Sequence, residues 1–170
     1  AAGVPLDSPY VAAAKNAGIP VYMSTALFAK FAFEIGLTIV GVTGTRGKST
    51  VANMIYHTLK KAVTPAHLGG NIRGISTLAM IQNVKKGDVA VLELDSWQLQ
   101  GFGDLSISPH IAIFTNLYPD HQNYYSSMDS YFADKANIFK NQKGGDVLIV
   151  GESIAEKISA ALPRVAPHVP

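Results

Sequence analysis

Four short apolar runs recur along the chain, and segments with a helical spacing of apolar residues separate them. The runs cover residues 37 to 40, 89 to 94, 111 to 115 and 147 to 150. The run from 89 to 94 is apolar on both faces, as a central strand of a parallel sheet requires. Strands that alternate with helices predict an α/β fold, in which a parallel sheet is flanked by helices and joined by right-handed crossovers.

Capping residues and apolar spacing predict where the helices lie. Ser8, Pro9 and Gly18 bracket a predicted helix at residues 9 to 17, followed by a short strand at 20 to 23 and a helix at 25 to 35. Further helices are predicted at 75 to 84 and at 128 to 140. The inward stripe predicted for the helix after residue 47 comprises Val51, Met54, Ile55, Thr58 and Ala62. The last helix has Ser127 as its predicted cap, with Phe132, Ala136 and Phe139 on one face.

A glycine-rich segment, Gly-Val-Thr-Gly-Thr-Arg-Gly-Lys-Ser-Thr at residues 41 to 50, joins the first apolar run to a helical pattern. Strand, glycine turn and helix N-terminus together predict a P-loop, in which backbone N–H groups and the helix dipole bind phosphate. Lys48 is expected to reach the terminal phosphates and Ser49 a magnesium ion. The strict pattern GxxxxGK[ST] asks for glycine at position 42, where this chain has valine. A glycine loop without a ligand is therefore the alternative.

Other polar residues follow the later strands, at the sheet edge where ligands of α/β proteins bind. Glu93 interrupts an apolar strand, and a buried carboxylate needs a cation or a hydrogen bond to offset its desolvation. Magnesium beside ATP phosphates would supply that cation, and a salt-bridged or half-exposed glutamate is the alternative. His121 is either an ordinary loop histidine or a metal ligand, and its place one strand beyond Glu93 favours the ligand. By spacing alone, Lys135 is an exposed helix lysine. Asn71 lies in a Gly-Gly-Asn turn of an ordinary kind.

Composition restricts the classes of function. The chain has 170 residues, 48% of them apolar and 15% charged, which predicts one globular core. A net charge of +2 without a basic stripe argues against nucleic acid as a partner. The absence of cysteine excludes disulfides and thiolate metal sites and is compatible with a cytoplasmic location. Lys30 and Glu34 interrupt the most apolar region, so no membrane span or membrane partner is expected. Because the chain starts without methionine, we expect it to be part of a longer protein.

Five motifs in order resemble the Mur ligase family, the ATP-dependent amide-forming enzymes of peptidoglycan assembly, which also includes folylpolyglutamate synthase. They are Thr-Gly-Thr-x-Gly-Lys-Ser at 43 to 49, Gly-Gly-Asn-Ile at 69 to 72, Leu-Glu-Leu-Asp-Ser-Trp-Gln-Leu at 92 to 99, Asn-x-x-x-Asp-His at 116 to 121 and Tyr-Phe-Ala-Asp-Lys-Ala at 131 to 136. The third motif and the opening Gly-Val-Pro-Leu-Asp-Ser-Pro at 3 to 9 are most similar to the members that add D-glutamate. Asp95 departs from the serine of those members, and Asn123 stands where many have aspartate.

The resemblance implies a domain organisation and a set of ligands. Residues 1–36 would be the end of an N-terminal uridine-nucleotide-binding domain and a linker, and residues 37–170 part of a P-loop NTPase-like central ATP-binding domain. The C-terminal domain of the family has no counterpart here. ATP and two magnesium ions are the implied cofactors, and UDP-N-acetylmuramoyl-L-alanine and D-glutamate the implied substrates of an acyl-phosphate reaction.

Roles carry over residue by residue at the matching positions. The implied catalytic residues are Lys48, His121 and Lys135. The implied nucleotide-binding residues are Gly44, Thr45, Gly47, Lys48, Ser49, Thr50 and Asn71. The implied magnesium ligands are Ser49, Glu93, His121 and a carbamylated Lys135. The implied substrate contacts are Asn71, Ser96 and Gln98.

Three alternatives stay open at this point: a sibling ligase that adds another amino acid, folylpolyglutamate synthase, and a nucleotide-binding module without catalysis. For the 170 residues alone we expect no ligase activity, because a ligase site needs groups from several domains. We also expect self-association, since a partial sheet leaves an unpaired edge and an uncovered apolar face.

Overall fold

Five short parallel strands form the sheet at the centre of the structure. The computed structural model describes residues 8–120 and 124–162. The strands are β1 (Thr38–Thr43), β2 (Ala66–Gly70), β3 (Val89–Glu93), β4 (Ile111–Phe114) and β5 (Val147–Val150). Their spatial order is β2-β3-β1-β4-β5, and every neighbouring pair is parallel. The predicted parallel α/β fold is confirmed, and β1, which carries the glycine-rich loop, is its middle strand.

Six α-helices accompany these strands in the described residues. They are α1 (Pro9–Asn16), α2 (Ser24–Ile35), α3 (Lys48–Lys61), α4 (Ser96–Asp104), α5 (Met128–Lys135) and α6 (Ala155–Ala161). The predicted caps of α1 and α5 are confirmed, because Ser8 Oγ accepts from the Val11 N–H and Ser127 Oγ from the Ser130 N–H. Within residues 8–120 and 124–162, every helix is too short or too polar to cross a lipid bilayer.

The sheet is covered unequally on its two faces. Helices α2, α4 and α6 and the residues just after α5 pack on one face, where Phe28, Phe102 and Phe114 are fully buried. On the other face α3 covers β1, β2 and β3, with Val42 and Ala52 at the centre of that contact. This arrangement fixes the start of α3 directly above the middle of the sheet.

The contact stripe of α3 differs from the one predicted. Val51 and Ile55 face the sheet as expected, but Met54 is 64% exposed, and Thr58 and Ala62 are exposed as well. Three other side chains complete the true stripe: Ala52, Tyr56 and Leu59. The apolar pattern of α3 allows two overlapping stripes, and the second is the one that packs on the sheet.

Three predicted elements are shorter than expected or absent. Residues 20 to 23 form no strand, because no described strand lies beside them to receive their hydrogen bonds. The helix predicted at 75 to 84 is only a 3-10 helix, Leu78–Gln82, whose apolar side chains still pack on the core. The helix predicted at 128 to 140 ends at Lys135 and continues as a 3-10 turn, Ala136–Ile138. Its predicted apolar face is confirmed in the core.

Two elements at the sheet edge that carries the motifs were not predicted as secondary structure. Strand β2 has only five residues, two of them glycines, so a propensity argument assigns it to a loop. Helix α4 begins within the motif at 92 to 99, and Asp95 and Gln98 form a capping box at its start. Both elements end or begin at the sheet edge that carries the motifs.

The end of α3 stores backbone strain that a single substitution can release. Val63 has φ +58° and is 89% exposed, and the Thr64 N–H donates to Leu59 O, the pattern of a Schellman cap whose left-handed position usually holds glycine. Val63→Gly is therefore expected to stabilise the chain by about 1 kcal/mol, measured by urea unfolding. Val63→Ala keeps a Cβ and serves as the control. A glycine variant less stable than the alanine variant would contradict this account.

Candidate nucleotide and metal site

The carboxyl ends of four strands bring the predicted functional segments to one edge of the sheet. Strands β1, β2, β3 and β4 end at Thr43, Gly70, Glu93 and Phe114, and all four are parallel. In open α/β sheets this edge is where ligands bind. The segments that follow these strands therefore surround the first turn of α3.

The glycine-rich segment forms the predicted strand, turn and helix start. Gly44 has φ +142° and Gly47 has φ +79°, values that favour glycine. A Cβ on Gly44 would also overlap the Thr115 hydroxyl. Helix α3 starts at Lys48, so the first backbone N–H groups of α3 point towards the loop without partners in the helix. The Lys48 ammonium lies 3.1 Å from Thr45 O, and this turn has the geometry of an anion site.

The residues that follow β4 hold this loop from one side. The Thr45 N–H donates to Asn116 O at 3.0 Å, and the Arg46 N–H donates to Asn116 Oδ1 at 2.9 Å. In return Asn116 Nδ2 donates to Arg46 O at 3.1 Å, and the Thr115 hydroxyl donates to the same oxygen at 2.8 Å. The Tyr118 N–H donates to Thr45 Oγ1 at 2.9 Å. The sequence motif contains Asn116, but its spacing gave no indication of these contacts.

Lys135 is almost completely buried beneath the loop, contrary to the exposed lysine that helical spacing predicts. Its exposed fraction is 1%, and Nζ donates to Gly44 O at 2.9 Å and contacts Thr43 Oγ1 at 3.4 Å. Burial, and then the neighbouring charge of Lys48, lower the pKa of Lys135 to about 7. A substantial fraction of this amine is therefore neutral near neutral pH.

Acidic and aromatic side chains surround the buried amine. The carboxylates of Asp95 and Asp120 act against the lowering of the pKa of Lys135, but burial outweighs them. The Tyr131 ring lies 4.8 Å from Lys135 Nζ, and the Tyr125 ring packs on Tyr131 with ring centroids 5.0 Å apart. Burial raises the pKa of both phenols. Both tyrosines are therefore neutral at physiological pH, and the uncharged Tyr131 ring lies beside the amine.

Glu93 places a buried carboxylate next to the loop. The side chain is 4% exposed, and β3 pairs it with Val42 on one side and Gly70 on the other. Among the residues described, Glu93 Oε2 has no hydrogen-bond partner. An ionised carboxylate oxygen without a donor is costly unless a cation compensates it, and an oxygen ligand suits magnesium.

The fit to magnesium rests on few ligands in the described part of the chain. No three acidic or histidine side chains within residues 8–120 and 124–162 converge as a complete metal site. His121, which the family resemblance assigns as a ligand, lies outside the described residues, as does Asn123. Ser49 is exposed in the first turn of α3. The orphan oxygen of Glu93 nevertheless fits a cation at this edge of the sheet.

The predicted substrate residues lie in two different settings. Asn71 is exposed just beyond β2, whereas Ser96 and Gln98 are buried in the first turn of α4. The Gln98 amide accepts from the Asp95 N–H at 3.2 Å and donates to Thr25 Oγ1 at 3.1 Å. Asp95 Oδ1 caps α4 by accepting from the Gln98 N–H at 2.8 Å. Asp95, the residue that departs from the family motif, thus has a structural role here.

Comparisons with known proteins agree with this geometry. The profile of the Mur ligase middle domain matches residues 42–166. A UDP-N-acetylmuramoylalanine--D-glutamate ligase of Borreliella afzelii is 47% identical over 111 residues, which are 65% of this chain and 24% of that protein. The ligase of the same name in Ruegeria pomeroyi is 39% identical over 167 residues, with 92% of this chain and 34% of that protein covered.

Solved structures show the same fold at low sequence identity. The MurF ligase of Thermotoga maritima in complex with ADP has a TM-score of 0.62 and 19% identity, over 81% of this chain and 34% of that chain. A murein peptide ligase of Psychrobacter arcticus has a TM-score of 0.60 and 16% identity, over 93% of this chain and 36% of that chain.

The fold and the loop define the class of this domain: an α/β domain whose middle strand leads through a glycine-rich loop into a helix. The chain belongs to the Mur ligase middle-domain family, since the family profile matches most of its length. It spans about a quarter to a third of the length of the two curated relatives described above.

Proposed function

We propose that the protein containing this chain is an ATP-dependent ligase of peptidoglycan precursor synthesis that adds D-glutamate to UDP-N-acetylmuramoyl-L-alanine in the cytoplasm. One observation carries the proposal: the glycine-rich loop with Lys48, the buried carboxylate of Glu93 and the buried amine of Lys135 lie at the same edge of the sheet. The two D-glutamate ligases described above are identical to the chain at more than a third of the aligned positions.

The loop and the start of α3 are the nucleotide site in this proposal. Backbone N–H groups at residues 47 to 50 bind the ATP phosphates, and the Lys48 ammonium neutralises charge on the terminal ones. Gly44 and Gly47 allow the loop to adopt backbone angles that other residues avoid. Asn71, just beyond β2, faces the same edge and is assigned to the γ-phosphate and the substrate.

Lys135 acts as a carbamate in this proposal. The neutral amine attacks carbon dioxide, an N–C bond forms, and one proton is released to solvent. The lowered pKa of Lys135 supports this step, because only the neutral amine has the free electron pair. The product carries a negative charge and two oxygens, whereas the unmodified lysine is neutral or positively charged.

The residues that would hold magnesium are Ser49, Glu93, His121 and the carbamylated Lys135. When bound, magnesium neutralises the charge of phosphate oxygens during phosphoryl transfer. The chain's own contribution would be three oxygen ligands, from Ser49, Glu93 and the carbamate of Lys135, and the imidazole nitrogen of His121. Glu93 is fixed there by pairing of β3 with two neighbouring strands.

The proposed reaction joins two substrates through an acyl phosphate. The γ-phosphoryl group of ATP passes to the carboxylate of UDP-N-acetylmuramoyl-L-alanine, and ADP is released. The amine of D-glutamate then attacks the acyl carbon, the amide C–N bond forms, and phosphate leaves with loss of a proton from nitrogen. Ser96 and Gln98 are assigned to the substrate side, where Gln98 acts by fixing the first turn of α4.

The domain division is part of the proposal. We assign residues 1–36 to the end of a preceding domain and its linker, and residues 37–170 to part of the central domain. Helix α1 agrees with this, because none of its residues is buried in the described structure. Helix α2 packs on the sheet with Phe28 fully buried, so in this proposal it is the part of the linker that docks on the central domain. For the chain alone we propose self-association through the exposed side of β5, where Val147 and Ile149 are 47% and 50% exposed. A light-scattering mass of 18.1 kDa, that of a single chain, would contradict it.

The full-length protein provides the test of function. Phosphate release from ATP is expected only when UDP-N-acetylmuramoyl-L-alanine and D-glutamate are both present. L-glutamate with the same acceptor tests the stereochemistry of the amine. Meso-diaminopimelate is offered with UDP-N-acetylmuramoyl-L-alanyl-D-glutamate and L-alanine with UDP-N-acetylmuramate, and activity in one of these two assays would identify a sibling ligase instead. Nucleotide binding without phosphate release under all these conditions would point to a non-catalytic module. The 170 residues alone are expected to release none.

A further inference from the structure

We infer that Asn116 is a positioning residue for the P-loop, and that it sets the affinity for the nucleotide through the backbone of Arg46. The inference builds on the proposed function, since it concerns how the same nucleotide site is held. Asn116 lies just beyond β4 and contacts no phosphate-binding amide at residues 47 to 50 in the described contacts.

The contact is a two-point pairing between one side chain and one backbone residue. Asn116 Oδ1 accepts from the Arg46 N–H at 2.9 Å, and Asn116 Nδ2 donates to Arg46 O at 3.1 Å. Two antiparallel hydrogen bonds to the same residue fix both of its backbone dihedral angles. Arg46 directly precedes Gly47 and Lys48, so its orientation determines where the next backbone N–H groups point.

A second residue holds the same peptide from β4. The Thr115 hydroxyl donates to Arg46 O at 2.8 Å, and Thr43 O also lies within 3.2 Å of it, so the hydroxyl links the two ends of the turn. The main-chain oxygen of Asn116 accepts from the Thr45 N–H at 3.0 Å. The turn between β1 and α3 is therefore fixed by the neighbouring strand and not only by its own glycines.

The free loop would otherwise have to be ordered when phosphate binds. Residues 44 to 47 include two glycines with positive φ, which gain much backbone freedom when they are released. Ordering a loop at the moment of binding lowers affinity, whereas a preorganised loop does not incur this cost. Loss of the Asn116 pairing should thus weaken the nucleotide complex without removing any group that touches the nucleotide.

The experiment measures nucleotide affinity in the full-length protein by calorimetry, with ADP and with a non-hydrolysable ATP analogue in the presence of magnesium. Asn116→Ala is expected to raise Kd about tenfold. Asn116→Asp keeps an acceptor for the Arg46 N–H but places a carboxylate against Arg46 O, and is expected to bind at least as weakly as Asn116→Ala. Thr115→Val should weaken binding, and Thr115→Ser, which keeps the hydroxyl, should restore it.

Gln142 supplies a matched control for a merely structural effect. Its side-chain amide donates to Pro109 O at 3.0 Å and Val147 O at 2.9 Å, at the opposite edge of the sheet. Gln142→Ala also removes two amide hydrogen bonds to backbone, so it is expected to lower the unfolding temperature as Asn116→Ala does, but to leave Kd unchanged.

The outcomes separate this inference from the proposed function. The inference alone would be overturned if both Asn116 variants and Thr115→Val bound nucleotide with the wild-type Kd while Lys48→Ala lost binding. An equal rise of Kd in Gln142→Ala would also overturn it, because affinity would then follow general stability. A wild-type full-length protein that binds neither nucleotide would overturn both.

Discussion

Replacing Lys135 with alanine is expected to lower the proposed ligase turnover of the full-length protein by about 100-fold or more, the scale of losing one preorganised charge-stabilising group. In the proposed site the carbamate of Lys135 supplies negative oxygen ligands beneath the P-loop, and alanine removes them. Added short-chain carboxylates are expected to restore part of the activity by occupying the vacated space. Turnover is measured as phosphate release that depends on D-glutamate.

Two further substitutions at this position distinguish whether the site needs a carbamate or a cation. Lys135→Met keeps the apolar stem, and Lys135→Arg keeps a positive charge, but neither can be carbamylated. Both are expected to be as inactive as the alanine variant. A carbon-13 carbamate signal from labelled bicarbonate is expected in the wild type and absent from Lys135→Met. An arginine variant with wild-type turnover would show that this site needs a cation.

The same lysine should make stability depend on pH when carbon dioxide is excluded. Its pKa is about 7 in the folded chain, against an ordinary value of 10.5. At pH values between these two pKa values, the unfolded chain binds more protons than the folded chain. The free energy of unfolding therefore rises with pH, by at most about 1.4 kcal/mol per pH unit. Urea unfolding at pH 7, 8 and 9 should show this rise in the wild type and a weaker one in Lys135→Met. Equal slopes would mean that the amine is not desolvated.

Lys48→Ala is expected to weaken nucleotide binding by about 10-fold to 150-fold, which corresponds to a charge-assisted hydrogen bond of about 1.5 to 3 kcal/mol. Lys48 lies at the first residue of α3, and its ammonium already points back along the loop towards Thr45 O. In the proposed complex this charge meets the terminal phosphates. Calorimetry with magnesium and an ATP analogue gives the affinity.

Lys60 offers a control on the same helix. It lies in the last turn of α3 and is exposed, far along the helix from the loop. Lys60→Ala removes an equal charge from the protein and is expected to leave the affinity unchanged. If Lys48→Ala bound nucleotide as tightly as the wild type, the assignment of this loop as a P-loop would be wrong.

The sequence predicted the sheet and the loop because both depend on patterns among residues close together in the chain. Apolar runs of four to six residues define four of the five strands, and glycine spacing with Lys48 defines the turn. Strand β2 was not predicted, because its two glycines lack the side chains that indicate a strand. The cap at Val63 was not predicted, because valine is rarely found at a left-handed position of the backbone.

The burial of Lys135 and the contacts of Asn116 could not be predicted from spacing. Helical periodicity says which residues of α5 share a face, but not that the loop after β1 lies over Lys135. The pairing of Asn116 with Arg46 requires β4 to lie beside β1, and strand order is not a local property. The family resemblance singled out Lys135, and one of its motifs contains Asn116, but it gave the contacts of neither residue.

The support of the loop by the neighbouring strand has a consequence for how the site arises during folding. Arg46 and Asn116 are 70 residues apart, so their pairing closes a long segment of chain and comes after local helix formation. During synthesis, β1 and α3 emerge well before β4 exists. A nucleotide that binds only the finished site stabilises the completed domain over its partly folded forms. Recovery of nucleotide binding in a refolding experiment should therefore lag behind recovery of helical circular dichroism.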